Sequence, residues 1–441
     1  MARLDEHPTV RAHRSIEPTP PAPLTLEELR RICLDAGADD VGVVEIARPE
    51  IADQREEILR FFPATQSLIS IVCRMNREPI LSAARNVANL EFHTTSDHIN
   101  HAARLIVAKL ALRGIRAINP PSGFPMDMAS FPGKLWVVSH KPVAVAAGLG
   151  QMGIHRNVIH PKFGNFILLG TILTDAHVDA GSSPIDYNPC LECKLCVAAC
   201  PVGAISENGF NFSACYTHNY REFMGGFTDW VETIAGSRNP QDYRDKVTDG
   251  ESASMWQSLA FGPNYKAAYC LSVCPAGEDV IGGFLKDRSR FIQETLKPLQ
   301  QKRETIYVQR GSDAESHAAQ RFPHKTIKHV GNVLRPTSIK GFLSGLVHVF
   351  QPGQAKDLDA VYHFQFTGLE PAMCTITIRH QHIELQDGHV GTPSIRVRAD
   401  SASWIKFVRR ERGLLRMLLS RKLILKGDPR LLAAFGKCFP G

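Results

Sequence analysis

The chain has 441 residues, 44% hydrophobic and 22% charged, which is ordinary for folded domains with full cores and excludes an intrinsically disordered protein. Its net charge of +7 is modest and spread along the length without one dominating basic stripe, so composition gives no reason to expect nucleic acid as a partner. The longest apolar run, Gly341 to Phe350, is too short to cross a bilayer, and eleven cysteines in grouped spacing, not scattered pairs, point to a reducing compartment; a cytoplasmic location is expected.

Residues 1–24 lack the apolar stretch of an export leader, and their PTPPAP run reads as a flexible arm. Thr25 with Glu28 forms a capping box that starts a helix through Leu34. Strands are predicted over Asp39–Ile46, Ser67–Met75, Leu135–His140 and Phe166–Asp175, with a helix over Asp97–Gly114 closed by its glycine. Strands alternating with helices give an α/β domain over residues 25–185. Within it Gly148, Gly150 and Gly153 match a dinucleotide fingerprint, but Pro161 follows only eight residues after Gly153 and leaves no room for the helix that such a site requires. The glycines read instead as a loop open to a flat ligand. His140 and Lys141 stand where the predicted strand meets this segment, and either has the chemistry to donate a proton.

Cys190, Cys193, Cys196 and Cys200 followed by Pro201 form C-x2-C-x2-C-x3-C-P, the ferredoxin spacing in which three thiolates serve one iron-sulfur cube and the fourth turns to another. Structural zinc sites split their thiolates into separated pairs, so this unbroken run points to a cluster. Cys270 and Cys274-Pro275 repeat the ending, with Cys215 upstream. By ferredoxin logic Cys274 returns to the first cube with Cys190, Cys193 and Cys196, leaving Cys200, Cys215 and Cys270 for a second. Those are seven thiolates where two cubes need eight, and Ala267 stands at the missing position. The second cluster is then a three-iron form, a cube with a non-cysteine ligand such as His218, or absent. Residues 186–290 are assigned to this ferredoxin-type 4Fe-4S module.

Residues 291–325 are charged and poor in strand signals, and read as a helical connector ending in a linker. Over 326–441, alternating segments between Val361 and Asp400 predict an antiparallel sheet, followed by a helical stretch, a short strand and a last helix. Lys406, Arg409, Arg410, Arg412 and Arg416 lie among Leu and Phe in that helical stretch, the pattern of a peripheral membrane contact.

Residues His140 to Asp175, leading into CLECKLCVAACPVGAI (Cys190 to Ile205), resemble the epoxyqueuosine reductase and reductive dehalogenase superfamily of corrinoid-dependent iron-sulfur enzymes. The resemblance implies that residues 25–185 bind cobalamin close to the clusters, with Gly148, Gly150, Gly153 and His98 at the cofactor and Lys141 and His140 as catalytic groups. The chain departs from the family: the aspartate in a V-D-S/T-A-P context is missing from Ile118–His140, which points away from queuosine chemistry, and no helical-repeat tRNA-binding tail follows. Instead, residues 326–441 resemble an α+β sterol-carrier-protein-type domain, which implies an apolar tunnel and a lipid ligand. The combined expectation is an iron-sulfur oxidoreductase using a corrinoid and a donor such as a ferredoxin or flavodoxin. It reduces a hydrophobic or lipid-like substrate presented by the carboxy-terminal domain, with no nucleic acid involved. The alternative is a non-catalytic electron carrier or redox sensor with a lipid-binding docking domain.

Overall fold

The computed structural model describes residues 4–14, 24–128, 135–178, 182–207, 209–331 and 335–440. The capping box forms as expected: the Thr25 hydroxyl accepts from the Glu28 amide, the Glu28 carboxylate accepts from the Thr25 amide, and the helix runs Leu26–Asp35. Strands Asp40–Glu45, Ser67–Arg74 and Ile167–Thr174 stand side by side, with the short strand Ala117–Ile118 at the far edge. Every pairing in this sheet is antiparallel. Ser67–Arg74 is buried along nearly its whole length, because it is central and helices cover both faces. One of these, Arg85–Ala111, begins well before the predicted Asp97 and seats Ile99, Ala102, Ile106 and Leu110 in the core.

Leu135–His140 is not a strand: no strand forms there among the described residues, and a helix begins at His140 and runs to Ala146. Pro142 falls in its first turn, where a missing amide hydrogen costs nothing, and the alanines after it favour helix over sheet.

The segment 291–325 carries more than helix. Thr305–Val308 pairs in parallel with Thr326–His329 around the helix Asp313–Arg321. Ile306, Val308, Ala314 and Ala318 pack with Val202, Ala204 and Ala214, so this small β-α-β unit is joined to the cysteine-bearing segment by a common core. TIYV has the β-branched and aromatic content of a strand, but at four residues it is too short to stand out.

In the carboxy-terminal region the sheet order is His382–Asp387, Ala372–Arg379, Ala360–Thr367, Ile395–Asp400, Leu423–Gly427. It is not wholly antiparallel as predicted: Ala360–Thr367 and Ile395–Asp400 run parallel, because the hairpin between them in sequence is laid on the other side of Ala360–Thr367. The predicted helical stretch splits into Ser401–Val408 and Leu414–Leu419, with Arg410 at φ 63° and Gly413 capping the second piece. Leu415 and Leu419 remain exposed. Phe342, Phe364, Phe366, Trp404 and Phe435 fill the space beneath the sheet, with neighbouring ring centroids 5.5–6.2 Å apart. Stacked, tilted and edge-to-face rings thus line the interior beneath the sheet, where the apolar tunnel is expected. Among the described residues no helix is long and apolar enough to cross a membrane.

Phe364 is fully buried at the centre of this ring cluster. Phe364→Ala should destabilise the carboxy-terminal domain by about 3–5 kcal/mol in urea unfolding followed by tryptophan fluorescence. The visible absorption of the iron centres should be unchanged.

Candidate iron-sulfur centre and the recess beside it

Two short segments with one backbone design carry most of the thiols. Lys194 is left-handed (φ 51°) and opens the helix Leu195–Ala199; Ala268 is left-handed (φ 53°) and opens the helix Tyr269–Ser272. Each helix bears a cysteine at its second position, Cys196 or Cys270, and each segment leaves through Cys-Pro, at Cys200-Pro201 or Cys274-Pro275. The two helices pack on each other. That crossing sends each Cys-Pro thiol toward the other segment.

The electrostatic neighbours of the thiols divide them into two groups. Cys274 feels Cys193 and Cys190, and Cys196 feels Cys274 and Cys193; Cys215 feels Cys200 and Cys270. Cys270 borders both groups, since Cys196 and Cys274 also feel it. Burial first, then mutual repulsion, pushes the Cys270 thiol up to about 11; burial pushes Cys274 up to about 12 and raises Cys196, Cys200 and Cys215 as well. Among the described residues no three His, Cys, Asp or Glu side chains crowd around one point as a single-ion site requires. A cube spreads its thiolates over separate irons and makes no such demand.

The donors around these sulfurs fit thiolate ligands. The Ile154 amide donates to Cys190 Sγ at 3.3 Å, the Ala204 amide to Cys200 Sγ at 3.2 Å, and Asn157 Nδ2 points to Cys270 Sγ at 3.9 Å. Hydrogen bonds to ligand sulfur stabilise the anion and raise cluster potential. Ile154 and Asn157 belong to the loop after the glycines, and Asn165 from the same stretch donates to the Cys270 carbonyl at 3.3 Å. The α/β domain thus reaches both thiol groups through one loop. Gly164 and Gly277 complete the seam. A Cβ on Gly164 would stand 2.1 Å from the Ala276 carbonyl, and one on Gly277 would stand 2.3 Å from the Gly164 amide nitrogen.

Lys141 stands at this seam. Its ammonium donates to the Arg156 carbonyl at 2.7 Å and to Asn157 Oδ1 at 3.0 Å, and so lies one residue from Cys270. The side chain keeps a large accessible surface although protein surrounds its charge, which describes a residue lining a recess. Desolvation lowers its pKa, partly offset by the Cys270 and Cys215 thiols. His140, its sequence neighbour, is engaged at both nitrogens: Nε2 donates to the Pro121 carbonyl at 3.0 Å, which leaves Nδ1 to accept from the Thr171 hydroxyl at 2.9 Å. Burial lowers its pKa and keeps the ring neutral, so the ring holds the helix start against the sheet.

The remaining candidates have local partners. His98 Nε2 bonds the Gly37 carbonyl at 2.9 Å. Cβ atoms on Gly148 and Gly150 would strike the carbonyl oxygens of Ser183 and Ile159, at 2.7 and 2.4 Å, and one on Gly153 would meet Ile159 and His155. These glycines admit the protein's own backbone and side chains at the places where a flat ligand was expected to approach. Sequence reasoning missed Ile154, Asn157 and Asn165, since an isoleucine amide and two loop asparagines carry no motif.

A family model for the 4Fe-4S binding domain matches residues 183–206, and one for the SCP-2 sterol transfer family matches residues 350–440. Epoxyqueuosine reductase of Aliivibrio fischeri is 29% identical over 102 residues, 23% of this chain and 27% of that protein. That of Synechococcus sp. (strain CC9605) is 40% identical over 67 residues, 15% and 20%, and that of Escherichia coli is 28% identical over 102 residues, 23% and 26%. The chain spans about a quarter of the length of these curated relatives. Among solved structures, a catabolic reductive dehalogenase in complex with 3-bromo-4-hydroxybenzoic acid overlaps 67% of this chain and 35% of its own at 16% identity and a TM-score of 0.39. An epoxyqueuosine reductase with an epoxyqueuosine-modified tRNA-Tyr stem loop overlaps 67% and 81% at 16% identity and a TM-score of 0.34. The chain therefore joins an epoxyqueuosine-reductase-like segment with a 4Fe-4S motif to an SCP-2-type carboxy-terminal region. The expectation of no nucleic acid is overturned by the curated relatives, which are epoxyqueuosine reductases.

Raised thiol pKa values carry a sign. Between the ordinary cysteine value near 9 and the folded values of about 11 and 12 at Cys270 and Cys274, the folded metal-free chain holds more protons than the unfolded one. Its stability is fully present below pH 9 and falls as pH rises through that window. Anaerobic denaturant titrations at pH 7.5 and 10.5 should show a large loss for iron-depleted protein and a small one for iron-loaded protein, whose ligands are already thiolates.

Proposed function

We propose that residues 25–290 work as an iron-sulfur reductase of the epoxyqueuosine reductase type, with a corrinoid in the recess at Lys141. The observation that carries this reading is the loop 153–165, which bonds Cys190 and Cys270 from two cysteine segments while Asn157 also holds Lys141. Electron-donating sulfur ligands and a candidate proton donor thus share one wall. When bound, cluster and corrinoid supply strongly reducing electron transfer.

The chain's own contribution is threefold. Cys190, Cys193, Cys196 and Cys274 hold the first cluster, and Cys200, Cys215 and Cys270 hold the second. The amides of Ile154 and Ala204 and the side chain of Asn157 fix sulfur charge without bulk water. Lys141 serves as proton donor or as a counter-charge, its desolvation bringing its pKa closer to working pH. The substrate class follows the relatives' name: a nucleoside carried on tRNA takes the place of the lipid-like substrate first considered. The SCP-2-type region is an accessory domain, packed by its helix Ile339–Val349 on the helix that bears Cys215. A non-catalytic electron carrier remains the second reading, favoured by the local bonds that occupy Gly148, Gly150, Gly153 and His98.

Anaerobic reconstitution with iron, sulfide and cobalamin, followed by gel filtration and optical spectra, tests the cofactor pair. Co-elution of corrinoid with iron supports the reductase, and full iron content without corrinoid removes it in favour of the carrier. Fluorescence anisotropy with an epoxyqueuosine-bearing stem loop should show salt-dependent binding. Lys141→Met should lower turnover about 100-fold, within the usual range for a general acid, with iron and corrinoid content unchanged.

A further inference from the structure

We propose that Ala267 leaves one iron of the second cluster without a protein ligand, so that this iron is lost on oxidation and refilled by ferrous ion. The inference rests on the cluster reading above and deepens it by choosing among the ligand alternatives that the sequence leaves open.

The alignment that makes Ala267 the missing ligand is a matter of backbone and not of residue counting alone. Cys193 directly precedes left-handed Lys194, and Ala267 directly precedes left-handed Ala268; each is followed by a short helix with cysteine at its second position and by Cys-Pro. Ala267 therefore occupies the place in the second segment that Cys193 holds in the first. It is buried, and its amide donates to Asn219 Oδ1 at 3.0 Å, which fixes the position.

No other thiol replaces it. Cys33 and Cys73 lie in the core of the α/β domain, and Cys374 and Cys438 in that of the carboxy-terminal domain. The seven named cysteines complete the eleven of the chain.

His218, three residues after Cys215 and next to Asn219, is the natural substitute by sequence, but its polarity is wrong. Its Nδ1 accepts from the Tyr307 amide at 3.3 Å, which places the ring proton on Nε2. Nε2 is buried and has no hydrogen-bond partner. A histidine that ligates through one nitrogen donates a proton from the other; here the other accepts, and Nε2 has no lone pair to give. Lys141, tied to two oxygens as an ammonium, offers none either.

The chemistry balances with a one-electron oxidant. A four-iron cube with two ferric and two ferrous ions gives one electron to ferricyanide and releases one ferrous ion, leaving three ferric ions and four sulfides. Ferrous ion and one electron from dithionite reverse it. An all-thiolate cube resists this, because a cysteine holds every iron.

The test uses the full chain, purified anaerobically, with electron-paramagnetic spectra and iron counts before and after ferricyanide. The wild type should gain a three-iron signal and lose one iron per chain, both reversed by ferrous ion with dithionite. Ala267→Cys should lose most of that signal and keep its iron, whereas Ala267→Ser, one atom larger than alanine and a poor iron ligand, should keep the signal. Adding Cys193→Ala to Ala267→Cys should bring the signal back, now from the first cluster. A wild type that resists ferricyanide as well as Ala267→Cys overturns the proposal, and loss of that resistance in His218→Ala would then make the histidine the ligand. A chain that takes up no iron overturns the cluster reading itself.

Discussion

The constraint on which the rest of the structure depends is the seam between the loop 153–165 and the two cysteine segments. It is built almost wholly from backbone. The amides of Glu278 and Asp279 donate to the carbonyls of Pro161 and Lys162 at 2.9 and 3.0 Å, and Gly164 and Gly277 face each other where neither tolerates a side chain. Backbone contacts of this kind are short and inflexible, so they fix the distance between domains better than side chains would. The same loop delivers its hydrogen bonds to Cys190 and Cys270, and through Asn157 it holds the Lys141 ammonium. A shift of the seam would change sulfur electrostatics and the Lys141 recess together.

A second consequence of the seam is chemical. It packs protein around the thiols, and desolvation there favours their protonated form in the absence of a positive partner. Iron reverses that balance, since a bound cation is the largest local charge in such a site and keeps its ligands deprotonated. Burial that is unfavourable for free thiolate thus becomes useful once metal is present: it excludes water and lets a few amide donors govern the potential.

The carboxy-terminal domain is integrated differently. Its ring cluster of Phe342, Phe364, Phe366, Trp404 and Phe435 is self-contained, and its attachments run mostly through the 305–329 unit and the helix Phe212–Asn219. Asp313 accepts from the Gly353 amide, and Gln309 donates to the Pro440 carbonyl at 3.1 Å. Phe212 and His348 meet edge to face beside Cys215 on its helix. Any event that moves this domain acts first on the helix that carries Cys215.

Much of this was legible in the residues. The cysteine spacing marked the cluster module, the Thr25–Glu28 cap began its helix, and three of the four predicted long strands of the first domain formed within a residue or two of their predicted limits. Such features are local, and each follows from chemistry a few residues long. The Leu135–His140 strand did not form, because a short apolar run does not show which period it will take. The roles of the glycines were equally out of reach: Gly148 and Gly150 are close-approach positions, but what approaches is Ser183 and Ile159, brought there by the fold.

The sequence by itself determined which residue types could bind iron and how they are spaced, down to the alanine that breaks the pattern, because ligand identity and local backbone geometry are short-range. Only the tertiary structure decided that Asn157 and Ile154 would address sulfurs from another domain, that His140 would be spent on Thr171 and Pro121, and that His218 would present a proton in place of a lone pair. Those outcomes depend on partners between 19 and 113 residues away along the chain, and hydrogen-bond polarity belongs to the pair and not to either residue alone.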